Sequence, residues 1–249
     1  MSQEIPLSSS EIATLWMTYQ QKTMIRRMLE YFITHAEDDQ AKEIMQDTHM
    51  QVVNYIEDIK TILKNEGAAI PVGYTEKDVN VVVPKLYDKM FDIMFLRLLK
   101  EISMGLHTLH LTMSYRKDMI SLYKELTAFT QSGYDKCVDY LQEKNVLPRP
   151  PAVSVPKTVK FAEGTDYMNG IHLFSSKRAL NTVEVAHIYY AIETNVLGMQ
   201  MITGFAQVAS EPEVKKYFVK GKELAKKVVS DYSKILLESD RIKSSTFFR

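Results

Sequence analysis

The chain predicts an all-α protein: a four-helix bundle with one long crossover, then a helix pair that repeats the bundle's first two helices. Three observations carry that reading. Four stretches of helical period precede residue 148, joined by a short, a long and a short connection. A proline-rich run closes them off. Finally, Leu7–Leu63 superimposes on Leu180–Leu236 at one offset, 173 residues, without a gap. About ten of the roughly 57 paired positions are identical. The stronger signal is physical: Leu15/Ile188, Trp16/Tyr189, Met28/Met201, Phe32/Phe205, Ile56/Val229 and Ile62/Ile235 fall in register.

The first helix is predicted from about Ser10 to Ala36. Ile12, Leu15, Trp16, Tyr19, Met24, Met28, Leu29 and Phe32 follow a 3.6-residue period there. The second runs from about Asp38 to Asn65, and Gly67 ends it as a C-terminal glycine does. Only Glu37-Asp38-Asp39 joins the two, so they are antiparallel neighbours. Ile70–Pro84 has no helical period and holds two prolines; it crosses the bundle as a loop. The third helix, about Leu86 to Tyr115, is apolar almost all round from Met90 to Leu106, which predicts burial on most sides. The fourth, about Lys117 to Lys144, is amphipathic through Met119, Leu122, Leu126, Phe129, Cys137 and Leu141. Helices of near-equal length, each roughly 40 Å at 1.5 Å per residue, with these connections describe a ferritin-like arrangement.

Pro148–Pro156 cannot be helical, because proline removes donors and restricts its neighbours. It divides the chain into a bundle over 1–147, a linker and irregular segment over 148–179, and a truncated second bundle over 180–249. Phe161, Tyr167, Met168, Ile171, Leu173 and Phe174 are expected to pack against a bundle. The last two helices are placed at about Thr182–Ala209 and Pro212–Glu238, with Pro212 suited to a helix start. The tail, Ser244–Arg249, is short.

Composition narrows the function classes. Lys plus Arg and Asp plus Glu both number 31, so no whole-chain field favours nucleic acid or an anionic membrane. The one cysteine, Cys137, points to a reducing compartment, and the N-terminus lacks the regions of a signal peptide. The most apolar run, Phe91–Leu99, holds Asp92 and Arg97 and is too short for a membrane span. A cytoplasmic protein is expected.

A carboxylate-bridged metal site in such a bundle needs a Glu from each of two helices and Glu-x-x-His on the other two. No helix of the first bundle carries Glu-x-x-His. Glu101 shares a face with Met94, Leu98 and Thr112 and is a candidate inward carboxylate. His107 and His110, three apart, have the spacing of a helical ligand pair, but on the face opposite Glu101. They read first as hydrogen-bonded surface or interface residues. Glu184 and His187 form the one Glu-x-x-His pair. Asn181-x-x-Glu184 and Ser8-x-x-Glu11, however, both read as capping boxes. The repeat keeps the Glu and replaces His187 by Thr14, which favours capping over an iron, manganese or zinc site. No cofactor is predicted. Cys137, among Tyr134, Val138 and Leu141, reads as an unreactive buried thiol. The lysines of the last helix, Lys215 to Lys227, read as a solvated face.

Several segments resemble a known family: Leu7-Ser-Ser-Ser-Glu-Ile-Ala, Ile70-Pro-Val-Gly-Tyr-Thr-Glu-Lys-Asp-Val-Asn80, Arg149-Pro-Pro151, Leu180-Asn-Thr-Val-Glu-Val-Ala-His187 and Gly204-Phe-Ala-Gln-Val-Ala209. It is a tandem, ferritin-like family of unknown function from spore-forming Gram-positive bacteria, related to spore coat protein F. The resemblance implies two ferritin-like bundles per chain, no established activity, and spore coat proteins as partners. The chain departs from it in lacking the second bundle's third and fourth helices.

A lone helix pair cannot bury an apolar stripe on both members. Tyr189, Leu197, Phe205, Tyr217, Leu224, Tyr232 and Ile235 exceed the patch a monomer tolerates. Covering a further ~800 Å² is worth on the order of 20 kcal/mol gross. The pair is expected to pack on the first bundle, to join its copy in a homodimer through 182–238, or to aggregate; the homodimer is the prediction. The function expected is a non-catalytic packing and assembly role. The rivals are a metal-binding or redox bundle and a carrier of a small apolar ligand.

Overall fold

Ser8 starts the first helix as its spacing to Glu11 predicts. Its side chain accepts from the Glu11 N–H, and the Glu11 carboxylate accepts from the Ser8 N–H at 2.8 Å. The computed structural model describes residues 5–88, 90–152, 155, 157–158 and 180–239. Among these lie six helices, α1 (Ser9–His35), α2 (Asp39–Asn65), α3 (Phe91–Thr112), α4 (Lys117–Glu143), α5 (Thr182–Val208) and α6 (Pro212–Leu237), with a 3₁₀ turn at Glu76–Asp78. The expected packing of Phe161, Tyr167, Met168, Ile171, Leu173 and Phe174, and the tail at Ser244–Arg249, fall outside the described residues.

The chain divides into two compact units, Met1–Leu147 and Pro148–Arg249. In the first, α1 pairs with α2 and α3 with α4, and the two pairs pack on each other. Leu15, Leu29, Met45, Ile59, Ile93, Leu96, Met119, Leu126 and Leu141, drawn from all four helices, fill the core. Ile12 and Trp16 instead face outward. In the second unit α5 pairs with α6 around Val185 and Leu236.

The repeat holds in three dimensions. The bounds of α5 are those of α1 moved by 173 residues, and α6 starts at the position equivalent to the start of α2. Ala36 and Ala209, at equivalent positions, leave their helices with nearly the same backbone, φ −66, ψ 127 and φ −64, ψ 120.

The third helix departs from its expected start at Leu86. It begins at Phe91, after Met90 turns into the left-handed region at φ 70. Leu86 is held elsewhere: its N–H donates to the Tyr31 hydroxyl at 2.8 Å, and that hydroxyl donates to the Pro84 carbonyl at 3.4 Å. From Phe91 to Glu101 α3 is buried or half-buried all round, as its apolar run predicts; Ile102 and, beyond the run, Leu109 turn outward. The crossover loop lies on α1. Gln20 Nε2 donates to the Val72 carbonyl at 2.6 Å, and the Tyr74 N–H donates to Thr23 Oγ1 at 3.1 Å. No described helix is long and apolar enough to cross a membrane.

Candidate functional site

From Lys100 onward the core-facing side of α3 is polar. Lys100, Ser103, His107 and His110 recur at helical spacing and are all buried. Opposite them, α1 contributes Thr18 and Lys22, and α4 contributes Tyr123, Thr130 and Cys137, all buried. Buried polar groups persist where they hydrogen-bond to one another, and most of these do.

His107 Nδ1 lies 3.0 Å from Thr130 Oγ1, while the Thr130 hydroxyl donates to the Leu126 carbonyl at 2.6 Å. Thr130 has only one proton, so it accepts from His107, which assigns the imidazole proton to Nδ1. Nε2 then keeps its lone pair, and it is buried with no hydrogen-bond partner. Burial first, then the charges of Lys22, His110 and Lys100, push the His107 pKa down to about 2, so the ring stays neutral. His110 Nδ1 meets Thr18 Oγ1 at 3.3 Å, and Thr18 also meets the Tyr123 hydroxyl at 3.2 Å. Gln21 donates to Ser103 Oγ at 3.2 Å.

The two lysines are the unusual members. Lys22 is 2% exposed and Lys100 is 5% exposed. Their ammonium nitrogens lie 5.9 and 3.8 Å from the centroid of the same Phe129 ring, in cation–π range. Burial, then the charge of Lys100, brings Lys22 down to about pKa 7; burial brings Lys100 down to about 8. Both line a small cavity of about 10 Å³, together with Thr48, Ser103, Phe129 and Thr130. Cys137 is buried nearby, and burial pushes its thiol up to about 12 despite Lys100 and Arg97, so it stays protonated and inert.

The residues singled out as metal candidates are not brought together. Glu101 bonds Arg97 at 2.7 Å, one turn away on its own helix. His107 and His110 are core residues bonded to Thr130 and Thr18, not surface residues as their sequence setting suggested. Glu184 completes a capping box, accepting from the Asn181 N–H at 2.9 Å, and His187 is exposed one turn further on. Among the described residues no group of three or more His, Cys, Asp or Glu is placed to hold a metal ion.

A second feature lies on α5 and α6. Phe205 is 37% exposed where its equivalent, Phe32, is 6% exposed, and Tyr232 is 36% exposed where Ile59 is fully buried. Leu224, Tyr232 and Ile235 line one face of α6 and all are exposed. At the α5–α6 turn, Phe205, Val208, Val214 and Phe218 line an apolar surface hollow of about 390 Å³.

The family described as "Protein of unknown function (DUF3231)" matches residues 1–159 and 168–247. The chain belongs to this family. Among solved structures, the crystal structure of a "putative spore coat protein" from Bacillus halodurans C-125 is similar to this family member at TM-score 0.55. The two share 15% identity over 61% of this chain and 98% of that one, a likeness of fold alone. No curated protein matches.

Sequence reasoning passed over Lys22 and Lys100 in this family member because charge reads by default as surface. A signal was present in both helices. Lys22 falls in the run Leu15, Thr18, Lys22, Ile25, Leu29, which is the buried stripe of α1. Lys100 stands three residues before Ser103 and seven before His107, so the polar residues of α3 themselves follow the helical period.

Proposed function

We propose that this protein is a non-catalytic, ferritin-like building block that acts by assembly, with α5–α6 as its joining surface and a second copy of the chain as the partner. One observation carries the reading: equivalent positions of the repeat are covered in the first unit and exposed in the second, Phe32 against Phe205 and Ile59 against Tyr232. In the first unit the cover comes from a second helix pair, α3–α4, packed on α1–α2. A second copy's α5–α6 offers the same kind of surface, two helices with an apolar face, and a two-fold arrangement lets each pair cover the other. The mixed charge of α6 outside that face, with Lys216–Glu213 and Lys227–Asp231 pairs, suits a solvated rim. Likeness to a spore-coat-type fold favours a structural role inside a spore-forming cell, with coat proteins as further partners.

Light scattering after size exclusion tests it. The full chain is expected at twice the 28.7 kDa of one copy at tens of micromolar, and Leu224→Glu with Ile235→Glu is expected to return it to one copy with its helical circular dichroism intact. A monomeric wild type, or a double variant that still dimerises, overturns the reading.

A further inference from the structure

We infer that the interior of the first unit binds one small monovalent anion of the halide class, seated between Lys22 and Lys100. Two lysines are buried in one core and line a common cavity. Neither forms a hydrogen bond or ion pair with a described residue; the carboxylates nearest in sequence, Glu30 and Glu101, are taken up by Arg26, Arg27 and His49, and by Arg97. Two like charges in a low-dielectric interior repel strongly, so either the amines lose their protons or a negative charge joins them.

The surroundings select the class of anion. Ser103, Thr48, Thr130 and the ring of Phe129, with the aliphatic Ile25, Val52, Leu96 and Leu99, complete a mostly apolar cavity wall. The Thr48 and Thr130 protons are already donated to the Ile44 and Leu126 carbonyls, while Ser103 accepts from Gln21 and keeps its own proton to give. Among the lining residues, those with a polar proton still to give are therefore Lys22, Lys100 and Ser103, and no carboxylate lines the cavity. The space open to the centre of a water-sized sphere is about 10 Å³, which leaves room for one atom-sized ion and little more. Phosphate, sulfate and carboxylates are too large, and a multivalent anion would be desolvated at far greater cost. A monatomic anion, with no shape to match, fits two point charges. The site belongs to the first unit alone, because Asn195 stands at the position equivalent to Lys22.

The full chain refolded in sodium bromide, then crystallised, is expected to show an anomalous bromide peak within hydrogen-bonding distance of both ammonium nitrogens. In solution at pH 7, chloride or bromide is expected to raise the melting temperature by several degrees over gluconate at equal ionic strength. Lys22→Met and Lys100→Met are expected to melt at the same temperature in halide and gluconate. Wild type that melts identically in chloride and gluconate, a variant pair that keeps the halide response, or bromide found only on the surface each overturns the inference. Because both variants remove a buried charge, loss of fold is not their expected outcome, and circular dichroism reports it directly.

Discussion

The backbone of Gly133 lies against the end of the Lys100 side chain: a Cβ on the glycine would stand 2.7 Å from both Cε and Nζ. Gly133 is buried in α4, where alanine would ordinarily favour the helix by about 1 kcal/mol. Here the ammonium would have to move inside a packed core. Gly133→Ala is expected to destabilise by about 1–3 kcal/mol despite the helix preference. The control is Gly105→Ala on α3, where an added Cβ meets nothing within 4 Å; it is expected to stabilise by about 0.5–1 kcal/mol. Urea denaturation of both variants measures the two signs.

Lys22 makes stability rise with pH in halide-free buffer. Its pKa is about 7 folded and 10.5 unfolded. Between those values the unfolded chain holds a proton that the folded chain has lost, so unfolding becomes harder as pH increases. The cost is fully present below pH 7 and gone above 10.5. Lys100 acts the same way from about 8 upward. Lys22→Met is expected to gain about 1–4 kcal/mol at pH 6–7, and its advantage should shrink towards pH 10. Denaturation midpoints across that range check the slope; a constant advantage at every pH contradicts it.

Glu11 sets the acid limit. Its carboxylate also accepts from the Ser8 hydroxyl at 2.7 Å and from the N–H groups of Tyr115 and Arg116, each at 2.8 Å. Burial alone would raise its pKa, but the N–H groups of Arg116, Ser8 and Tyr115 and the Ser8 hydroxyl outweigh it and hold it at about 2, against 4.5 in the unfolded chain. A depressed acid contributes stability above the unfolded value, lost as pH falls through the folded one. His107, at about 2 against 6.5, loses stability over a wider acid window, because only the unfolded chain takes up its proton there. Stability should therefore decline from about pH 6 and steepen below about 4.5. Glu11→Gln is expected to cost about 2–3 kcal/mol at pH 7 and to remove the steeper part.

Gly73 holds the crossover loop on α1. A Cβ there would stand 2.8 Å from Thr23 Cγ2, Thr23 Oγ1 and Tyr19 Cε1, side chains fixed by their own helix. Gly73→Ala is expected to cost about 1–3 kcal/mol and to raise protease cleavage within 70–84. Thr23→Val, which removes the acceptor for the Tyr74 N–H, should do the same more mildly.

Local signals were legible in the chain and distant ones were not. Ser8 with Glu11, and Asn181 with Glu184, lie three residues apart, so both caps are visible in sequence and both form. The start of α3 was missed because Tyr31 captures Leu86 from 55 residues away. His107 and His110 were misplaced for the same reason: their partners, Thr130 and Thr18, sit on other helices. The expected bounds of the α5–α6 pair hold to within one residue at each end, and the pair repeats the backbone pattern of α1–α2.

The reach of Glu11 has a consequence for synthesis. The two N–H groups it holds on the α3–α4 turn lie 104 and 105 residues downstream. A nascent chain emerging from the ribosome can wind α1 against α2 early, but the start of α1 stays half-anchored until residue 116 is released. Its closure is thus a late event, slow in the way of all pairings distant along the chain. The α5–α6 hairpin needs only its own neighbouring stretch and can form in a single short step after it.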